Sequence, residues 1–331
     1  MALRETPGKT VKATVHQQYG SPDLLGFEDV AKPVPGDNEV LVKVRAASVN
    51  PLDWHTVRGT PYPLRIGNGF DAPKKALIGV DVAGQVEEVG SMVARVRPGD
   101  EVFGVCHGAF AEYACAKADR IALKPGRISF EQAAAIPVAG LTALQGLRDR
   151  GRLERGQTVL IVGASGGVGT FAVQIARWLG ADVTAVCSTR NVELVRSIGA
   201  NHVIDYTSED FTRRELQYDV ILDMAGTHPL SALRRVLTRR GTCVVVGAPS
   251  GRWIAGPDRF IKALLLSPFV SQRMVPFIAS PNTKDLMVLK DLVESGDVTP
   301  VIDRTYRLKE VPEALRYLEQ GHARGKVVIT T

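Results

Sequence analysis

The run Thr158-Val159-Leu160-Ile161-Val162 passes without a break into Gly163-Ala164-Ser165-Gly166-Gly167-Val168-Gly169, after which Val173, Ala176 and Leu179 repeat at helical spacing. The first five residues are mostly β-branched or aliphatic with no polar alternation, which predicts a parallel strand covered on both faces. The spacing that follows predicts a helix packed back across that strand. The chain must reverse sharply between the two. Glycines there let the backbone approach a phosphate while the first helical amides stay free to meet its charge. Strand, turn and helix in this order predict a dinucleotide cradle, with Gly163, Ser165, Gly166, Gly167 and Val168 as contact residues. The spelling Gly-x-x-Gly-Gly-x-Gly varies the commoner Gly-x-Gly-x-x-Gly, and without its flanks it would read equally as a plain tight connection.

The next strand bears on which dinucleotide is held. Asp182-Val183-Thr184-Ala185-Val186-Cys187 continues into Ser188-Thr189-Arg190-Asn191. An NAD site places a carboxylate near this point to accept from the ribose 2′-hydroxyl, and no carboxylate follows the strand here. Hydroxyls and a guanidinium suit a 2′-phosphate instead, so Ser188 and Arg190 predict NADPH. The alternative for Arg190 is a solvated cation at a helix start. Tyr206, after Val203-Ile204-Asp205, is placed to cover the adenine or touch the phosphate, or to serve as an ordinary half-buried aromatic.

Rhythm divides the 331 residues into parts. Residues 11–127 read as short strands broken by Gly and Pro, among them Lys12-Ala13-Thr14-Val15, residues 39–46 and residues 82–89. That density predicts a mainly antiparallel β domain. From about Pro137 strands near Val159, Val183, His202, Val220 and Cys243 alternate with helices, which predicts a doubly wound parallel sheet. Residues 273–279, with Pro276 among them, predict an edge strand, and such an edge near Val275 could pair with its copy in a homodimer. A helix over Thr283–Ser295 and strands at 301–306 and 325–330 then return the chain to its first domain. The expected fold is therefore α/β, with a β-rich domain from 1–136 and 283–331 and a Rossmann nucleotide-binding domain from 137–282.

The formal charge of +6 is spread out, and pairs such as Arg213-Arg214 and Arg239-Arg240 read as solvated surface rather than a nucleic-acid stripe. Nucleic acid is not an expected partner. Residues 1–10 lack the apolar core of a signal peptide and no apolar run is long enough to span a bilayer, so a cytoplasmic location is expected. Cys106, Cys115, Cys187 and Cys243 match neither a paired-thiol zinc spacing nor a disulfide frame, and read as free thiols with no metal.

Five pieces carry a resemblance. They are Ser48-Val49-Asn50-Pro51-Leu52-Asp53, Gly79-Val80-Asp81-Val82-Ala83-Gly84, Arg97-Pro98-Gly99-Asp100-Glu101-Val102-Phe103-Gly104, the glycine-rich turn, and Val301-Ile302-Asp303-Arg304-Thr305-Tyr306. Together they span almost the whole chain. The chain resembles the zinc-free quinone oxidoreductases of the medium-chain dehydrogenase/reductase superfamily, relatives of zeta-crystallin. The resemblance implies a GroES-like β domain before the Rossmann domain. The zinc alcohol dehydrogenases of the superfamily need a thiolate in the region of Ser48 to Asn50 and a histidine-glutamate pair at Val80-Asp81; both are missing, and so is a Lewis acid for alcohol oxidation.

The resemblance implies hydride transfer from NADPH to a quinone or an α,β-unsaturated carbonyl. Such acceptors are already electron-poor, so positioning carries most of the rate and no obligatory general acid is expected. By resemblance, Asn50 lies by the nicotinamide or serves as a turn residue before Pro51, and His55 takes a cleft position often held by tyrosine, or is simply packed. Tyr62 sits in a loop, residues 60–77, that reads as a lid or as a passive insertion. Thr142 begins the helix before the nucleotide domain and is a cofactor candidate, as is Lys326, which reaches the cofactor phosphates or is solvated. Asp81 and Asp100 read as turn-stabilising residues. Loops around His55 and Tyr62 and residues 253–269 shape the cleft. The competing reading is a scaffold or nucleic-acid binder that holds NADPH with little turnover.

Overall fold

The computed structural model describes residues 4–246, 262–263 and 271–331. Most of the 253–269 segment therefore lies outside the described residues. The strands, in chain order, are β1 (Arg4–Val15), β2 (Gly26–Val34), β3 (Glu39–Val49), β4 (Asp81–Val89), β5 (Glu101–Val105), β6 (Tyr113–Lys117), β7 (Ile121–Leu123), β8 (Thr158–Val162), β9 (Asp182–Cys187), β10 (His202–Asp205), β11 (Tyr218–Asp223), β12 (Leu237–Val245), β13 (Arg273–Pro276), β14 (Ile302–Arg307) and β15 (Lys326–Thr330). They fall into two units: Met1–Val138 with Pro281–Ser295 and Pro300–Thr331, and Ala139–Ser280 with Gly296–Thr299.

The first unit is built on a sheet ordered β14-β15-β3-β4-β5-β7, with β6 also paired to β3. Only β14 and β15 run parallel; the other pairs are antiparallel, as short strands joined by tight turns require. β3 is the central strand. Its alternation survives only at exposed Lys43 and Arg45, because β15, β4 and β6 flank it and Val40, Val42, Val44, Ala47 and Val49 enter the core. Register matters most at its far end. Ser48 stands opposite Asp81 on β4 and opposite Val328 on β15, so the start of β4, the end of β3 and the start of β15 meet.

The second unit holds six parallel strands in the order β10-β9-β8-β11-β12-β13. Chain direction across the sheet reverses between β8 and β11, and that switch point is where an open α/β sheet receives a ligand. The unalternating β8 is buried from Val159 to Val162, as its composition predicts. The helix Gly167–Trp178 buries Phe171, Val173, Ile175 and Ala176. β13 closes the sheet with a parallel pairing to β12, and Pro276, which has no amide hydrogen, sits on this edge strand.

Gly296–Thr299 belongs to the second unit, although the segments on either side belong to the first. The buried side chain of Gln174 explains why: its Nε2 donates to Thr299 O (3.0 Å) and its Oε1 accepts from Thr299 N (2.8 Å). This long-range clamp leaves no trace in local sequence pattern. Thr142 also differs from expectation. It lies inside the Pro137–Gln145 helix rather than at its start, and its side chain is buried.

Candidate active site

The glycine-rich turn has the shape that its composition predicts. Gly163 adopts φ +87°, open to glycine at no steric penalty. A Cβ at Gly169 would stand 2.2 Å from Gly163 O and 2.6 Å from Ala164 C, so this glycine is what lets the helix start against β8. A Cβ at Gly166 would meet nothing nearer than Gly163 O at 3.5 Å, which leaves open space over the turn. Gly166 is the cap of the helix, and the amides of Gly167, Val168 and Gly169 form its first turn, where no intrahelical acceptor is available. An unobstructed surface with outward amides is what a pyrophosphate requires.

Asn191 ties this turn to the end of β9. Its Nδ2 donates to Ser165 Oγ (2.9 Å) and to Ser188 Oγ (3.2 Å), while its Oδ1 is buried with no hydrogen-bond partner among the described residues. Local sequence pattern gives Asn191 no role; only the folded neighbourhood of β8 and β9 discloses this clamp. Arg190 is exposed in the Thr189–Asn191 turn, and Tyr206, 58 % exposed, presents its ring beyond β10. One element of the specificity argument needs correction. A carboxylate does stand at this edge, supplied by the third strand: Asp205 accepts from Thr189 Oγ1 (2.6 Å) and from the N–H (3.0 Å) and hydroxyl (2.8 Å) of Thr207. These bonds, that from Thr189 first, hold its carboxyl below the usual carboxylate value. Thr189 thus has its proton committed to Asp205.

In the first unit the junction of β3, β4 and β15 buries a polar network. Lys326 Nζ donates to Asn50 Oδ1 (2.6 Å), Val49 O (3.2 Å) and Asp81 Oδ2 (3.3 Å), so its three protons have three acceptors. Asp81 Oδ2 also accepts from Ser48 Oγ (2.6 Å) and Asn50 Nδ2 (2.9 Å), and Oδ1 from Val138 N (2.9 Å). All four side chains are buried. The ammonium can only donate and the carboxylate can only accept, which fixes the orientation of the Asn50 amide between them.

Asn50 and Lys326, expected at the cofactor, are thus brought together and turned inward. Lys326 directs its ammonium to these residues of the strand-rich unit and does not present it as a solvated side chain. Asn50 Nδ2 has its second proton toward Ser48 O (3.4 Å), leaving the amide no free donor. Asp81 is a four-donor anchor rather than a turn residue, whereas Asp100 does stabilise its turn by accepting from Arg97 N (3.0 Å). Below them Asp53 accepts from Asn50 N (2.7 Å) at the start of the Pro51–Arg58 helix. Burial raises Asp53 to about 7, opposed by that hydrogen bond, with Asp81 adding to the rise and Lys326 countering it.

His55 lies on the same helix, stacked on Trp54 at 3.7 Å between centroids. Its Nδ1 is 2.7 Å from Thr60 O. A carbonyl can only accept, so Nδ1 carries the proton and the neutral ring offers Nε2 as an acceptor. Burial lowers the His55 pKa, with the Thr60 bond and Glu319 opposing, so the ring donates a second proton only after it is charged. Tyr62 follows Thr60 and Pro61, half-buried, with the Arg65 guanidinium 4.9 Å from its ring. The loop that bears Tyr62 is stapled to Tyr19: Arg65 stacks on that ring at 4.2 Å, and Tyr19 Oη donates to Gly69 O (2.7 Å). Gly59, at φ +61°, makes room, since a Cβ there would lie 2.6 Å from the Tyr19 ring.

The chain matches the family described as "Alcohol dehydrogenase GroES-like domain" over residues 36–126 and that described as "Zinc-binding dehydrogenase" over residues 198–329. It is 34% identical to the chloroplast envelope quinone oxidoreductase homolog of Arabidopsis thaliana, over 97% of this chain and 99% of that one. The chain belongs to the zinc-free quinone oxidoreductase-like family of the medium-chain dehydrogenase/reductase superfamily. It is also 33% identical to the chloroplastic NADPH-dependent alkenal/one oxidoreductase of the same plant, over 97% of this chain and 80% of that one. Among solved structures, the Escherichia coli quinone oxidoreductase complexed with NADPH superposes with a TM-score of 0.82 at 26% identity, covering 97% of this chain and all of the other. This oxidoreductase does not fit the zinc in its family's description. Where a metal would need thiolate and imidazole, it has Ser48, Asn50 and Asp81 around an ammonium that would repel a dication. Among the described residues no group of three or more His, Cys, Asp or Glu side chains is arranged to hold a metal ion, and no helix is long and apolar enough to cross a membrane.

Proposed function

We propose that this oxidoreductase transfers a hydride from NADPH to a quinone or an α,β-unsaturated carbonyl without a metal. The observation that carries the reading is the bare glycine turn at the sheet's switch point, followed by the Ser188–Arg190 edge. Relatives named for quinones and for alkenals and enones support the acceptor class, and the NADPH in the Escherichia coli structure supports the cofactor.

The amides of Gly167 to Gly169 meet the pyrophosphate charge at the positive end of the helix. Ser188 and Arg190 hold the 2′-phosphate and Tyr206 covers the adenine, while Asn191 positions both serines. Thr142, buried in its helix, and Val168 complete the cofactor set. Reduced nicotinamide supplies the hydride when bound. The acceptor needs no prior protonation, which agrees with a His55 whose neutral form has its one N–H engaged by the Thr60 carbonyl. Asn50, Asp81 and Lys326 act as positioning residues: they lock the β3–β4–β15 junction and the start of the helix that carries His55.

The test compares NADPH with NADH across a panel of quinones and enones, following cofactor absorbance. Acceptor-dependent NADPH oxidation is expected. Arg190→Ala should raise the KM for NADPH about 10–100-fold, the loss of one charge-assisted contact, and leave that for NADH within about twofold. Equal losses for both cofactors would remove Arg190 from the phosphate site, and no oxidation above background with any acceptor would end the reductase reading.

The reading also includes a homodimer through the β13 edge, where among the described residues only β12 pairs with the strand and Ile278 is 79 % exposed. Val275→Lys should convert a two-chain mass in sedimentation equilibrium to a one-chain mass; a wild type that sediments as one chain at micromolar concentration contradicts it. The cytoplasm is the proposed compartment, on four free thiols and no disulfide.

A further inference from the structure

Away from the Lys326 network, the strand-rich unit contains a cavity of about 40 Å³ lined by Tyr19, Thr56, Arg65, Lys75, Leu77 and His107 among others. One water needs roughly 10–15 Å³ by this measure, so the space holds about three water-sized groups. That is the size of a carboxylate, not of a ring. Thr56 places the cavity beside the helix that carries His55.

Its charge is one-sided. Arg65 Nε donates to Gly59 O (2.9 Å) and one terminal nitrogen to Phe70 O (3.2 Å), but carbonyls leave the guanidinium charge uncancelled and other N–H groups available. Among the described residues no carboxylate forms an ion pair with Arg65 or Lys75. His107 adds a neutral donor. Desolvation first and the Lys75 ammonium second lower it to about 4, although its edge is open to solvent, so at neutral pH it contributes an N–H and no charge. The hydroxyls on this wall are occupied, with Tyr19 Oη on Gly69 O and Thr56 Oγ1 on Leu52 O (2.8 Å). The lining therefore brings two cationic residues and one imidazole together with Asn68, the apolar Pro73 and Leu77, and the Tyr19 ring. Two positive charges with no carboxylate partner among the described residues complement an anion.

We infer that this cavity is a subsite for a carboxylate carried by the acceptor, so that the preferred substrates are quinones or enones bearing an acidic side chain. The inference rests on the reductase reading for its acceptor and on the cavity alone for its anion. Both Arg65 and Lys75 reach the space from the 60–77 segment, which gives that insertion a role in substrate choice.

Two measurements separate the claims. In the first, a benzoquinone with a carboxymethyl side chain is compared with its primary amide. The wild type is expected to favour the acid by about fivefold to tenfold in kcat/KM, and Lys75→Gln to erase most of that ratio, as does salt at about 0.5 M. An acid-to-amide ratio unaltered by Lys75→Gln overturns the inference. The second needs no turnover: benzoate and benzamide binding are followed by saturation-transfer NMR on the cofactor-free protein. Benzoate should bind the wild type about fivefold more tightly than Lys75→Gln, with benzamide unable to tell them apart. Equal benzoate affinity for the two proteins likewise overturns it. If no acceptor is reduced, the reductase reading falls while benzoate still decides the cavity.

Discussion

Lys326→Met is expected to lower the unfolding free energy by about 3–5 kcal/mol, read as a fall in the urea midpoint at unchanged slope. The magnitude follows from what is left behind. Methionine retains most of the lysine stem but removes the only ammonium that, among the described residues, reaches Asp81, whose carboxylate is fully buried and 3.3 Å from it. A buried charge deprived of its partner is among the few single changes that destabilise so strongly. Asn50 is affected as well, because its Oδ1 loses the 2.6 Å bond that fixes the amide. The double variant Lys326→Met with Asp81→Asn should recover part of the loss, since the uncompensated carboxylate is then gone. Destabilisation by less than about 1 kcal/mol in the single variant, or simple additivity in the double one, would show that the pair does not hold this junction together.

The network at risk in that variant is the part of the protein least visible in its sequence. The β8 strand, the turn and its helix could be read directly, because hydrophobic pattern and backbone freedom are local properties and Gly163, Gly166 and Gly169 each have a local reason. The parallel, doubly wound character of the second sheet followed from alternating strands and helices, and its strand order did not. Lys326 belongs to the other kind. It looks like a solvent-facing residue at the start of a strand, and its burial depends on Asp81, 245 positions away in the chain. Asp81 in turn looks like a turn residue until β3 and β15 deliver Ser48, Asn50 and the lysine to it. Asp205 is hidden for a related reason: Ser188 to Asn191 after β9 include no acid, whereas the sheet brings a carboxylate from the neighbouring β10 to Thr189. His55 shows the finer limit, since the sequence marks it as a cleft or packed residue and only the Thr60 carbonyl reveals which nitrogen holds the proton. Residue types and periods were legible; partners across strands were not.

Asp53 gives the same junction a pH dependence with a definite sign. Its folded value lies near 7 against an ordinary 3.8, chiefly because burial disfavours the charge. Between those values the folded protein keeps a proton that the unfolded chain has released, so the contribution of Asp53 to stability is complete below about pH 4 and is lost as pH rises toward 7. Above that window both states are ionised and the penalty is constant, on the order of 4 kcal/mol. Asp53→Asn keeps a side-chain oxygen for the Asn50 N–H and removes the charge. It should therefore stabilise the protein by about 2–4 kcal/mol near pH 8 and by almost nothing near pH 4, with urea midpoints of the two proteins converging as pH falls. A difference that does not change with pH would mean that Asp53 titrates at its ordinary value. Lys326 links this expectation to the first one. Its ammonium counters the upward shift of Asp53, so in Lys326→Met the window should extend to higher pH, whereas Asp81→Asn, which removes a neighbouring negative charge, should move it down. Opposite movements from two substitutions at one buried ion pair are what electrostatic coupling through the junction requires, and a general loosening of the fold would move both the same way.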